Sequence, residues 1–342
     1  VDAARLDPGN NVLAVEIHQR SATSSDISFD LQLTGVTPGL PQVVRGPYLQ
    51  QPTPDGMIVR WRTSVPTDSR VRFGSTAALL DQEGVVAGLR TEHAVSLNGL
   101  TANTAYFYVV GHTGGDLAGG DDCLFYTAPP DGAVQPMRFW VLGDAGTGLS
   151  GQFTVRDAYY QFAGTRYTDL ILLLGDNAYN TGTDAEYQAK MFGVYPSIFR
   201  STASVSTVGN HDTASQDNPD VTTTPYFQIF DHPTQGEGGG VPSGSEKYYS
   251  FNYGNIHFVC LDSMTSDRGV DSAMLMWLEQ DLEQNTADWL IAFFHHPPYS
   301  KGSHDSDSLS DSGGRMTEMR ANVLPILEAH GVDLVLSGHS HS

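Results

Sequence analysis

Cysteine is nearly absent from this chain: its 342 residues hold two, Cys123 and Cys260, far apart and in segments of different character. That excludes a disulfide-stapled scaffold and a Cys-x-x-Cys metal knuckle, and it leaves two unpaired or buried thiols. Basic residues are also scarce, with 18 Lys and Arg against 39 Asp and Glu, for a formal charge of −21. Nucleic-acid backbones and anionic lipid need a basic face, so neither surface is expected as a partner. No apolar run reaches the about 18 residues of a membrane span, and the start has no basic segment leading into an apolar one. The segment therefore shows no membrane span and no signal peptide. It begins within a strand-like pattern and stops directly after a His-x-His motif, so it is expected to be a piece of something longer.

What is present divides into parts. A chain of this length exceeds one compact core and should form two or three units. Residues 1–36 hold two alternating stretches, Asn11–His18 and Ile27–Leu33, too few strands for a sheet of their own. Residues 40–130 run through short alternating segments, Met57–Arg62, Arg70–Gly74, His93–Leu97 and Ala105–Val110, separated by turn residues, which reads as an all-β sandwich. From Met137 the pattern changes. Near-continuous apolar strands such as Arg138–Leu142 and Leu170–Leu174 alternate with helical stretches near 151–163, 184–195, 272–285 and 315–330. Strands buried on both faces between helices mean an α/β layer architecture over 137–342, with sites at the carboxyl ends of strands.

Five such ends carry metal-ligand residue types. Gly143-Asp144-Ala145-Gly146 closes the first strand and Gly175-Asp176-Asn177-Ala178-Tyr179 the second. Gly209-Asn210-His211-Asp212 follows Val205–Val208, His295-His296-Pro297-Pro298 follows Trp289–Phe294, and Gly338-His339-Ser340-His341 follows Val332–Leu336. Singly, each is better explained as a turn, since Gly-Asp and Asn-His are common turn formers. Together they are not, because turns have no need of His at three of the five ends.

The order GDxG, GDxxY, GNH(D/E), xxxH, GHxH resembles that of purple acid phosphatases, within the calcineurin-like metallophosphoesterases, from residue 137 to the end. Arg45-Gly46-Pro47-Tyr48-Leu49-Gln50 resembles the opening ahead of their catalytic domains. Residues 40–130 look like a fibronectin-type-III-like domain, and residues 1–36 resemble the last hairpin of a truncated jelly-roll or galactose-binding-like domain. The resemblance implies two metal ions, one held by Asp144, Asp176, Tyr179 and His341, the other by Asp176, Asn210, His295 and His339, with Asp176 bridging. A phenolate at Tyr179 implies Fe(III) in the first position and Fe(II), Zn(II) or Mn(II) in the second. It implies a phosphate monoester as substrate, cleaved by attack of metal-activated hydroxide. His211 resembles the family histidine that contacts phosphate. His304 stands where plant-type members carry a further histidine and is the candidate general acid; Asp305 stands where they have one more. Family spacing favours His295 as ligand with His296 behind it, although the register His296 before Pro298 stays open. The location implied is secreted, periplasmic or cell-surface.

Three rivals remain. Gly146-Thr147-Gly148-Leu149-Ser150-Gly151 matches a dinucleotide fingerprint, but that reading leaves Asn210, His295, His339 and His341 without a reason and sets Asp144 against phosphate. A phosphodiesterase or nucleotide pyrophosphatase would use the same cation pair, with the segment Thr213–Ser245 expected to roof the site and decide between substrates. A non-catalytic adhesive module is the third, and the seven intact ligand candidates argue against it. His18, His93, His112, His232, His257 and His330 lack ligand spacing and read as structural or solvated. Oligomeric state is not readable.

Overall fold

The computed structural model describes residues 39–214 and 223–341. The expected strands of residues 1–36 lie outside the described residues. The β-rich part supplies β1 (Val43–Thr53), β2 (Gly56–Gly74), β3 (Gln82–Asn98), β4 (Ala105–His112) and β5 (Gly115–Tyr126), each antiparallel to the strands it pairs with in this part. The α/β part supplies β6 (Phe139–Leu142), β7 (Leu170–Leu173) and β8 (Ala203–Ser206), then β9 (Tyr249–Tyr253), β10 (Ile256–Cys260), β11 (Trp289–Phe294) and β12 (Leu334–Ser337).

Strand pairing runs on from one part into the other. The order β5-β4-β2-β1-β8-β7-β6 makes a single sheet, with β3 on β2, because β1 meets β8 in parallel at Leu49 and Ala203. Around that seam the Arg45–Gln50 segment is tied down by side chains. Arg45, almost fully buried, donates to Gln188 and Asp184, the Tyr48 hydroxyl donates to the Ile229 carbonyl, and the Gln50 amide donates to Ser204.

The second sheet has four strands in the order β12-β11-β10-β9, parallel except for β9. The two sheets pack face to face. Leu170, Leu172 and Leu174 point inward, where Phe251, Phe258, Cys260 and Phe293 from the opposite sheet meet them. The alternate residues Ile171 and Leu173 point outward, under a layer from 187 to 230 that includes Tyr187, Phe192 and Phe199. On the far side of the second sheet, Val259, Ala292 and Phe294 face outward against Leu278 and Leu282 of helix Ala273–Gln284. Both faces of the inner strands β7 and β10 are thus covered, which is why these strands read as unbroken apolar runs.

The helices follow their local sequence. Ser272 caps Ala273–Gln284 by accepting from the Leu275 amide, and Thr183 with Glu186 forms a capping box at Asp184–Tyr187. Among the described residues no helix is long and apolar enough to cross a membrane. Residues 215–222 of the segment expected to roof the site lie outside the described residues, and its glycine-rich stretch lies against Phe251 and Asn252, which pair with Phe258 and His257 near the beginning of β10. Small residues serve there because Cβ atoms at Gly238 and Gly240 would overlap Phe251 and Ser250.

Candidate metal centre

The ends of β6, β7, β8, β11 and β12 turn toward one another, and their first loop residues are held in an unusual backbone conformation. Asp144 and Asp176 both have φ of 54° and His339 has 70°. Left-handed φ is disfavoured for side chains other than glycine, and of six such residues among those described, four lie here, Ser312 being the fourth. The glycines that precede ligand candidates answer a packing need. A Cβ on Gly209 would overlap the Asp176 carboxylate, and one on Gly338 would come within 2.5 Å of Asp144 Oδ2.

Two overlapping groups of donor atoms result. In the first, the Tyr179 hydroxyl lies 3.0 Å from Asp144 Oδ1, 3.2 Å from Asp176 Oδ2 and 3.2 Å from His341 Nε2, and His341 Nε2 is itself 3.2 Å from Asp144 Oδ1. In the second, His295 Nε2 lies 3.1 Å from Asn210 Oδ1 and 3.3 Å from Asp176 Oδ2. Asp176 belongs to both.

The charges are poised for a cation. Burial, followed by the carboxylates of Asp176 and Asp144, pushes the Tyr179 phenol far above its ordinary range. Burial acts to lower His295, but the Asp176 carboxylate outweighs it and lifts the ring to about 9. Both ring nitrogens of His295 then donate, Nδ1 to the Leu174 carbonyl at 2.8 Å and Nε2 toward Asp176 and Asn210. Protons therefore sit between the same lone pairs that a metal ion would draw together. Oxygen donors with one imidazole, and imidazoles with an amide and a carboxylate, are donor sets that fit hard and borderline cations respectively.

His339 approaches from β12. Its backbone N–H donates to Asp144 Oδ2 at 2.8 Å and its ring lies 5.0 Å from that of His295. Burial first, then His295 and His304, keep it neutral, with a pKa near 3. His296 Nδ1 meets Ser263 Oγ at 2.9 Å, its buried Nε2 has no hydrogen-bond partner among the described residues, and it offers a ligand atom within 4.8 Å of those of His295 and His339. It is His295 that meets Asp176 and Asn210. His304 stacks on His339 at 4.0 Å and reaches Asp311, not the carboxylates of the centre. His211 donates its backbone N–H to Asp176 Oδ1, and its Nδ1 sits 2.6 Å from the Asn180 carbonyl, which leaves Nε2 as the acceptor of the neutral ring.

Asp212, beyond the ligand candidates in its motif, was given no role from sequence. Its carboxylate accepts from Asn177 N, Asn177 Nδ2, Gly209 N and the Tyr187 hydroxyl, clasping the loops after β7 and β8. Burial and the nearby Asp176 still lift it to about 6. Gly146, from the dinucleotide-like stretch, accepts from the Tyr179 N–H, and a Cβ there would overlap the Asn177 carbonyl. The glycine loop thus packs against the Tyr179 segment.

With this geometry in place, residues 137–342 match the model of the calcineurin-like phosphoesterase family. This chain belongs to that family. The chain is 29% identical over 262 residues to purple acid phosphatase 18 of Arabidopsis thaliana, covering 73% of this chain and 52% of that protein. It is 25% identical over 265 residues to purple acid phosphatase 1 of Ipomoea batatas, covering 73% and 50%. The chain spans about half the length of these curated relatives. Among solved structures, one titled "Structure of PhoD" superposes with a TM-score of 0.58 at 17% identity, covering 85% of this chain and 70% of that one, a likeness of fold.

Proposed function

We propose that this phosphoesterase hydrolyses phosphate monoesters at a two-cation centre. Asp144, Asp176, Tyr179 and His341 would hold one ion, and Asp176, Asn210, His295 and His339 the other. The observation that carries the reading is the shared carboxylate: Asp176 Oδ2 is within 3.2 Å of the Tyr179 hydroxyl and 3.3 Å of His295 Nε2. Bound there, two cations supply Lewis acidity and a water nucleophile of lowered pKa. With a phenol among its donors the first position suits Fe(III), and the second suits Fe(II), Zn(II) or Mn(II).

The chain's own groups do the rest. His211, its ring oriented by Asn180, would contact the phosphoryl oxygens through Nε2–H when the ring carries both protons. His304 delivers a proton to the departing ester oxygen. Asp212 keeps the two loops in register, and His296 fills space behind His295. Residues 40–130 would act as a fibronectin-III-like module without chemistry, in a protein of secreted, periplasmic or cell-surface location. The test is hydrolysis of p-nitrophenyl phosphate against bis(p-nitrophenyl) phosphate. Faster turnover of the monoester, lost in Asp176→Asn, is expected; preference for the diester moves the assignment to a phosphodiesterase, and no turnover of either removes it.

A further inference from the structure

The chain from Asp305 to Gly314 reads as a solvated Ser/Asp/Gly loop, yet it contains a backbone feature that such loops do not require. Ser312, Gly313 and Gly314 have φ of 51°, 61° and 81°, three successive left-handed residues. Glycine adopts that conformation freely; serine does so at a cost, which persists where the surroundings impose it. Here the surroundings are His304 and His339. Asp311 Oδ1 accepts from His304 Nδ1 at 2.8 Å and from the Ser312 hydroxyl at 2.9 Å, while Oδ2 accepts from the Asp305 amide at 2.8 Å. Ser312 Oγ also lies 2.6 Å from His339 Nε2.

Counting protons settles the directions. A serine hydroxyl has one proton, and this one goes to the Asp311 carboxylate, which can only accept. Toward His339, Ser312 must therefore accept, so the proton of that ring is on Nε2 and its lone pair is on Nδ1.

We infer that the Asp311–Ser312 turn is a positioning device serving both halves of the reaction, in which Asp311 orients His304 as proton donor and Ser312 holds His339 in the tautomer whose lone pair is on Nδ1. Neither residue touches substrate. The inference rests on the phosphoesterase reading above. With Nδ1–H held by Asp311, His304 has Nε2–H free to serve the leaving group. As the ester P–O bond breaks, its electron pair goes to the leaving oxygen, which takes the Nε2 proton; His304 is left neutral with Nδ1–H still on Asp311, and solvent restores the proton. The same three residues, His304, Asp311 and His339, present ligand atoms within 4.8 Å of one another, so a third cation held between them is the competing account.

Four measurements separate these accounts. Wild-type metal content and turnover come first: two ions per chain with hydrolysis supports the underlying reading, and neither of them ends that reading and this inference together. Asp311→Asn should lower kcat for an alkyl monoester such as glycerol phosphate by about 10²-fold. The same variant should lower kcat for p-nitrophenyl phosphate far less, because nitrophenolate leaves without a proton, and KM and metal content should hold. Equal losses on both esters, or loss of a third equivalent of metal, would overturn the role of Asp311. Ser312→Gly keeps the left-handed backbone and removes the hydroxyl; chelator competition should show one ion held about 10–100-fold more weakly, with wild-type leaving-group dependence. Unchanged retention of both ions contradicts the role of Ser312. Finally, ¹⁵N shifts of His339 in the metal-free protein should report the Nε2–H tautomer, shifting toward a mixture in Ser312→Gly. An Nδ1–H ring in the wild type overturns the inference while leaving the phosphoesterase reading intact.

Discussion

Two buried histidine–carboxylate pairs stand at opposite ends of the four-stranded sheet. Near the start of β10, His257 Nε2 meets Asp281 Oδ2 at 2.8 Å; beyond the end of β11, His295 Nε2 meets Asp176 Oδ2 at 3.3 Å. All four side chains are at most 3% exposed, and burial alone does not tell the pairs apart. Their surroundings do. His257 Nδ1 bonds Asn252 Oδ1, and Asp281 Oδ1 takes both the Val241 amide and the Ser250 hydroxyl, so the network closes on itself with ordinary strand and helix backbone. At the other end the acceptors Asp144, Asp176 and Asn210 crowd around the protons of Tyr179 and His295, and two of the residues involved adopt left-handed backbone. Converging acceptors on a strained frame are what the proposed cation site requires, whereas a closed network marks a place built for rigidity.

That contrast can be broken most sharply by exchanging effects on function and on stability. Asp176→Asn should abolish turnover, by more than the roughly 10–100-fold that an outer partner of a metal ligand is worth, while the protein still unfolds cooperatively. His257→Ala should do the reverse. Leaving Asp281 buried without its partner should cost about 3–5 kcal/mol in urea unfolding, with specific activity per folded molecule retained. Equal loss of stability in both variants would erase the distinction.

A finer test uses pH. The free His295 is lifted to about 9 from an ordinary 6.5, so its pairing contributes stability that is full below about 6.5 and is lost as pH rises through 9. Asp176 is lowered from 3.8, with its burial outweighed by His295, so its share is present above 3.8 and lost on acidification below that value. The metal-free protein should therefore unfold more easily at pH 9 than at pH 7. A bound ion must displace the His295 proton, so metal affinity should rise over the same interval. A flat profile in both measurements would mean that the pair does not compete with metal. The smallest effect on activity is expected from Gly338→Ala: its Cβ would press on Asp144 Oδ2 and on the Leu174 carbonyl, weakening metal retention, which chelator competition would detect.

The ligand-bearing strand ends were legible in the sequence because doubly buried strands write themselves as apolar runs, and the residue after each run is where the chain must turn. Other features were not legible, for physical reasons. Choosing between His295 and His296 needed the Leu174 carbonyl and Asn210, 121 and 85 residues away. The continuous sheet hangs on one paired position, Leu49 with Ala203, which no periodicity announces. Asp311 and Ser312 look like loop polarity until His304 and His339 are brought beside them. The stretch from Gly236 to Gly240 resembles a flexible cover, yet its glycines are there because the chain passes tightly over Phe251 and Ser250.

The most direct measurement is metal analysis with a visible spectrum of protein purified in air. Two ions per chain, one of them iron, with a broad visible band that disappears in Tyr179→Phe, is the expected result. A colourless protein holding one ion or none, yet hydrolysing phosphate esters at full rate, would contradict the claim that Asp176 joins two cation positions.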